Sequence, residues 1–291
     1  MKNILVTGAT GNVGFAAIRV LSLIAPESHI YAGVRNIQKS KQRFEEFSNV
    51  ECIHFDFKEP STFSEALRKV DLVLLIRPPQ IAKVQQYFAP FIHQISAHQI
   101  EGVVFLSVQG AERSRFIPHQ RIEQLITEYG LNYIFLRASY FMQNLTTTLL
   151  SDIQQRKKII LPAGKARFNW VNAENVGELA ALLLQEFQSY KNNAYEVTGY
   201  EYKNFYEVVE DISSVCDKRV TYQNLNVFSF YKLRRKEGME RSKVLVMIMI
   251  HLLPRMQKYS RKSVFYENVT GKKPTRLKEF IQLNHSLLFP R

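Results

Sequence analysis

The sequence has little of several things, and each shortage closes off a class of explanation. Only two cysteines occur among 291 residues, Cys52 and Cys216, far apart and in no Cys-x-x-Cys or Cys/His spacing. Neither a disulfide framework nor a zinc site is indicated. His93 and His98 share a helix at a spacing that does not align two metal ligands, so no metal is expected. No apolar stretch reaches the ~20 residues that a bilayer-spanning helix needs; the run Val244–Leu253 has ten. No charged-then-apolar leader precedes the first apolar strand, which makes a cytoplasmic setting the default expectation. Repeats, low-complexity stretches and long flexible linkers are missing as well. Acidic residues are scarce in two places. None lies between Glu27 and Glu45, and residues 218–291 hold only 4 against 17 Lys/Arg, whereas residues 1–217 hold 22 of each sign. The whole formal charge of +13 therefore sits in the last quarter. Such a field attracts phosphorylated cofactors, acidic membrane surfaces or nucleic acid, or it simply keeps a surface solvated.

What is present begins at the first strand. Lys2-Asn3-Ile4-Leu5-Val6-Thr7-Gly8-Ala9-Thr10-Gly11-Asn12-Val13-Gly14 runs from an apolar strand into a glycine-rich turn, and a largely apolar helix follows. Glycines let the backbone approach a pyrophosphate closely, and the free N–H groups of a helix N-terminus face its charge. The spacing is G-x-x-G-x-x-G rather than G-x-G-x-x-G, as in extended and atypical short-chain dehydrogenase/reductases. A second strand, His29–Arg35, completes a βαβ unit. In NAD-preferring sites an acidic residue about 20 positions beyond the turn binds the ribose, while an arginine accommodates a 2′-phosphate. Arg35 ends this strand and Lys39 follows, so NADP is expected over NAD.

Further strands are expected at Val50–Phe55, Asp71–Ile76, Gly102–Ser107 and Asn132–Arg137. They alternate with a helix over Ser61–Lys69 capped by Ser61, a long helix at 83–98 and another at 119–129. This pattern indicates an α/β fold, a doubly wound parallel Rossmann sheet. Arg77-Pro78-Pro79 must form a loop at the carboxyl edge, where ligands bind in open α/β sheets. Beyond Ala138 the pattern loosens into a short strand near Lys157–Gly164, an amphipathic helix over 173–187, a late strand Ala194–Gly199, a helix at 203–217 and a mainly helical basic tail.

Several stretches together resemble the NmrA-like family of atypical short-chain dehydrogenase/reductases. They are the glycine turn, Val34-Arg35-Asn36, Phe55-Asp56-Phe57, Phe105–Ala111, His119 with Glu123, Leu136-Arg137 with Phe141–Leu145, Tyr195–Gly199, and Thr270–Pro274. The resemblance covers nearly the whole chain. It implies a Rossmann domain (1–150), a smaller, mainly helical C-terminal lobe (151–291, with about 173–199 returning to the sheet), a substrate cleft between them, and bound NADP. The cofactor residues it implies are Gly8, Thr10, Gly11, Asn12, Val13, Gly14, Arg35, Lys39, Asp56, Phe57, Ile76, Arg77, Pro78 and Ser107. Members include NADPH-dependent quinone, azo-dye and ether reductases, and regulators that bind the cofactor without turning it over.

The catalytic Tyr-x-x-x-Lys pair of typical short-chain dehydrogenases is absent: none of the 14 tyrosines has lysine four residues later. What remains at the corresponding place is His119, with Glu123 one turn on so that the carboxylate could orient the imidazole. Ser107 would face the nicotinamide region. Phe141, Asn144 and Trp170 are the expected substrate-pocket walls, although the two aromatics could equally be core. A quinone-like acceptor suits so sparse a site. The first reading is thus an NADPH-dependent reductase of a small molecule. The second is a non-catalytic redox-sensing regulator acting through a protein partner. The basic tail reads as a lobe helix closing the pocket, a subunit contact in a homodimer, or a peripheral contact with an anionic membrane. Direct nucleic-acid binding has charge but no motif behind it.

Overall fold

The structure, a computed structural model, describes residues 1–113, 117–256 and 262–290. Its strands are β1 (Asn3–Val6), β2 (His29–Val34), β3 (Val50–His54), β4 (Leu72–Ile76), β5 (Gly102–Val108), β6 (Tyr133–Ala138), β7 (Tyr140–Phe141), β8 (Lys158–Leu161), β9 (Arg167–Val171), β10 (Asn193–Val197), β11 (Tyr202–Asn204) and β12 (Thr221–Asn224). The chain divides into two compact units. The first comprises Met1–Ala138, Ala173–Val197 and Phe265–Gly271; the second takes the described residues of Ser139–Asn172, Thr198–Val264 and Lys272–Arg291.

The first unit is built on a seven-stranded sheet in the order β3-β2-β1-β4-β5-β6-β10, every neighbour pair parallel. This is the doubly wound Rossmann order with one added strand, and the chain reverses direction across the sheet between β1 and β4. Strands such as Leu72-Val73-Leu74-Leu75 are fully buried, as a sheet covered on both faces demands. On one face the helix Asn12–Ile24 packs on the helix Ala173–Gln185, so closely that a Cβ on Gly177 would stand 2.5 Å from the Ala16 Cβ and 2.8 Å from the Ala17 N. The other face carries an aromatic cluster, with Phe55 4.9 Å from Phe91 and Phe57 4.6 Å from Phe88.

Several expectations are corrected. The helix expected at 83–98 is two, Val84–Tyr87 and Ala89–Ala97, because Pro90 lacks the N–H that would continue the ladder. Ser61 does not cap its helix; it lies within a 3₁₀ turn, Pro60–Thr62, that leads into Phe63–Leu67.

The second unit holds a three-stranded sheet, β11-β9-β7, and the parallel pair β12-β8. Its core gathers Trp170, Phe205 and Phe230, all fully buried. The helix Phe205–Cys216 starts at a capping box: Asn204 Oδ1 accepts from the Glu207 N–H while Glu207 accepts from the Asn204 N–H. Among the described residues no helix is long and apolar enough to cross a membrane, and no cluster of three metal-ligating side chains occurs.

Candidate functional site

The carboxyl edge of the sheet is where β1 ends in the glycine turn. Thr7, fully buried, ties this end down: its hydroxyl accepts from the Ile76 N–H at 2.8 Å, and its N–H donates to the Leu74 carbonyl at 3.0 Å. Gly8 then takes a left-handed φ of +61°, which side chains rarely adopt. The Gly11 N–H closes back on the Gly8 carbonyl at 2.9 Å. A Cβ at Gly14 would lie 2.4 Å from that same carbonyl, so only glycine permits the helix to begin this close to the turn. Helix Asn12–Ile24 starts with Gly11 as its N-cap, without a side-chain cap and without an acidic residue in its first turn. Thr10, Gly11 and Asn12 are exposed, while Val13 is buried beneath them. The N-terminal N–H groups of this helix, which have no intrahelical partners, thus open onto an uncapped, positively polarised turn. A pyrophosphate fits that chemistry.

At the end of β2, Arg35 is exposed, and among the described residues nothing engages its guanidinium. Asn36 accepts from the Lys39 N–H at 2.9 Å and so caps the next helix; Lys39 itself is exposed in a first turn without carboxylates. Among the described residues neither cation has a carboxylate partner. Asp56 is half-buried and accepts from the Lys58 N–H at 2.9 Å, closing its own turn. Phe57 belongs to the aromatic core, so its ring is not a ligand surface.

Beyond Thr7, β4 and the loop after it pack against the turn and against themselves. Ile76 borders Gly8, its side chain 3.2 Å from where a Cβ would stand. The Arg77 side chain is folded back. It donates to the Ile81 carbonyl at 2.7 Å and to the carbonyls of Pro78 and Pro79, and so clamps the loop after β4 instead of reaching outward. Burial lowers its pKa to about 10. Its Nε donates to His119 Nε2 at 3.3 Å. Accepting at Nε2 puts the proton of a neutral His119 on Nδ1, which has no partner among the described residues. Burial, with the adjacent Arg77 charge, pushes the His119 pKa down to about 3, so the imidazole is neutral at ordinary pH.

Glu123 does not orient His119. It is buried and accepts from the Ser107 hydroxyl at 2.6 Å and from Arg137 at 3.1 and 2.7 Å. Arg137 also reaches Glu112 at 3.1 Å, and its hydrogen bond to Glu123 raises its pKa. Ser107 is fully buried and its proton is committed to Glu123, so it presents no hydroxyl to a ligand. The three residues bind β5, β6 and the helix Pro118–Glu128 together behind the edge.

In the second unit, Trp170 is fully enclosed. Its indole N–H donates to the Lys203 carbonyl at 3.1 Å, and its ring lies 4.8 Å from Tyr140. It is core and not a pocket wall. Phe141 and Asn144 are partly exposed. The sequence reading missed a neighbouring pair: the Tyr140 hydroxyl donates to His251 Nε2 at 2.9 Å, and His251 Nδ1–H donates to the Met247 carbonyl at 2.7 Å. Burial raises the Tyr140 pKa and lowers that of His251 to about 4. The available signal was a histidine set within an otherwise unbroken apolar run.

Comparison with known proteins places this geometry. The chain is 27% identical over 278 residues to Prestalk A differentiation protein A of Dictyostelium discoideum, covering 96% of this chain and 91% of that protein. It is 27% identical over 226 residues to the NAD(P)H azoreductase of Xenophilus azovorans, 75% of this chain and 76% of the relative. The solved structure of the NADPH-dependent quinone oxidoreductase QOR2 from Escherichia coli, complexed with NADPH, superposes with a TM-score of 0.86 at 21% identity, over 96% of this chain and 99% of that one. The model of the NmrA-like family matches residues 1–281, and the chain belongs to that family.

Proposed function

We propose that this protein is an NAD(P)H-dependent reductase of a small conjugated acceptor such as a quinone, holding NADP at the glycine turn and preferring it to NAD. The observation that carries this reading is the exposed, uncapped turn Thr10-Gly11-Asn12 together with the unengaged Arg35 at the end of β2. The names of the azoreductase and quinone oxidoreductase relatives point the same way. When bound, the cofactor supplies the hydride. The chain's own residues do the rest. Backbone N–H groups after Gly11 hold the pyrophosphate, Arg35 and Lys39 hold the 2′-phosphate, and Arg77 fixes the loop after β4. His119, the acid expected at the sheet edge, is buried and neutral. An acceptor whose reduced anion takes its proton from water therefore suits the site better than a simple ketone. The two free cysteines accord with a cytoplasmic, reducing setting.

The second reading, a cofactor-binding regulator that acts through a protein partner, draws on the same neutral His119 and on the engaged Ser107 hydroxyl. One experiment separates them: NADPH absorbance followed with purified protein, with and without a simple quinone, in parallel with NADH. Consumption that requires both protein and quinone, faster with NADPH, is expected. Tight NADPH binding without consumption across several acceptors would sink the reductase reading in favour of the regulator.

A further inference from the structure

From Val244 on, the helix Arg241–Leu252 is apolar on every face apart from His251, which for a helix means burial on every side or contact with lipid. It is not buried on every side. Val244, Met247, Ile248 and His251 face the core of the second unit, while Leu245, Val246, Ile250 and the following Leu253 are 36 to 48% exposed. At 100° per residue the exposed set centres opposite the buried one. The helix Val227–Lys236 packs beside it, and it buries Phe230 and Arg234 while leaving Phe228 75% exposed, with Lys232, Arg235 and Lys236 also exposed. Among the described residues, Lys232, Lys236 and Arg241 have no carboxylate partner.

We infer that the outer face of Arg241–Leu252, flanked by the cations of Val227–Lys236, docks on an anionic lipid surface. Apolar side chains inserted at headgroup depth with Lys/Arg around them are the chemistry of peripheral membrane binding, and each cation near an anionic surface strengthens it. Charge argues for lipid against a second copy of the chain. Residues 218–291 carry 17 basic and 4 acidic side chains, so pairing this face with itself would juxtapose like charge.

The test is sedimentation of the full-length protein with phosphatidylcholine vesicles, with and without phosphatidylglycerol, over a salt series. Binding is expected to the anionic vesicles, weakening as salt rises. Lys232→Gln and Lys236→Gln should each lower partitioning about fivefold. Val246→Ser with Ile250→Ser should lower it roughly tenfold or more, without altering the NADPH-induced thermal shift. No retention on anionic vesicles at low salt, or wild-type retention by the Val246→Ser/Ile250→Ser variant, overturns the inference. So does a concentration-dependent dimer in analytical ultracentrifugation that the same pair of substitutions dissolves. Binding is read without turnover, so its failure leaves the reductase reading standing.

Discussion

At the scale of single residues, charge and exposure decide what each candidate can do. Arg35 is exposed and nothing among the described residues engages it, so its guanidinium can take a phosphate in charge-assisted hydrogen bonds. Arg35→Ala should therefore weaken NADPH binding by about 10- to 100-fold and change NADH binding little, as read from the two dissociation constants. An equal loss for both nucleotides would remove Arg35 from 2′-phosphate recognition. His251 makes a pH prediction. Its pKa is held near 4 by burial, below the ordinary 6.5. The unfolded chain thus takes up a proton that the folded chain refuses. Stability is full above about pH 6.5 and falls as pH drops, by about 2 kcal/mol at pH 5 from this residue alone. His251→Gln keeps an acceptor for Tyr140 and removes the titration, so urea unfolding at pH 7 and pH 5 should differ by about 2 kcal/mol less than in the wild type. An unchanged difference would place the proton uptake elsewhere. The His251 role could not be assigned from residue type alone, and neither could that of Glu123: spacing pairs Glu123 with His119, but packing puts it on Arg137.

At the scale of elements, the Ser107–Glu123–Arg137 set joins two strands and a helix behind the carboxyl edge. Arg137 is 17% exposed and Glu123 only 7%, so removing one partner strands a charge in a poorly hydrated place. Glu123→Ala should destabilise the protein on the order of 3 kcal/mol, read as a lower urea midpoint with an unchanged m-value. A loss below half of that would mean Arg137 finds equal compensation at Glu112, 3.1 Å away. The glycine turn was legible in the sequence because its requirements are local: a left-handed residue at Gly8 and a contact at Gly14 too close for any side chain. The helix over 83–98 was misread because apolar periodicity continues across Phe88 while Pro90 interrupts the hydrogen bonding. Periodicity reports which residues are buried and not whether the ladder is continuous.

At the scale of the whole molecule, cofactor binding and stability are linked, because a ligand that binds only the folded chain raises its unfolding free energy. NADPH at a hundredfold excess over its dissociation constant should add about 2.7 kcal/mol and raise the melting temperature, and removing it by dialysis should reverse the change. Gly14→Ala should lower the ligand-free melting temperature and abolish the NADPH shift, since the new Cβ forces the turn away from the helix start. A Gly14→Ala protein that still shifts fully with NADPH would locate the cofactor elsewhere. The uneven charge also acts at this scale. An excess of 13 positive charges in one quarter of the chain creates a field that no single side chain accounts for.

By itself the sequence determined the doubly wound sheet, the glycine turn, the basic end of β2 and the absence of a Tyr-x-x-x-Lys pair. Each depends on neighbours within a few residues or on a repeating strand–helix alternation. Only the tertiary structure decided the rest: that Trp170 is core, that the Ser107 hydroxyl and the Glu123 carboxylate serve Arg137, that Arg77 clamps its own loop, and that Tyr140 meets His251 across 111 positions. These partners are far apart along the chain. A hydrogen bond is chosen by which donors and acceptors packing brings within about 3 Å after water has been excluded, and linear spacing carries no record of that.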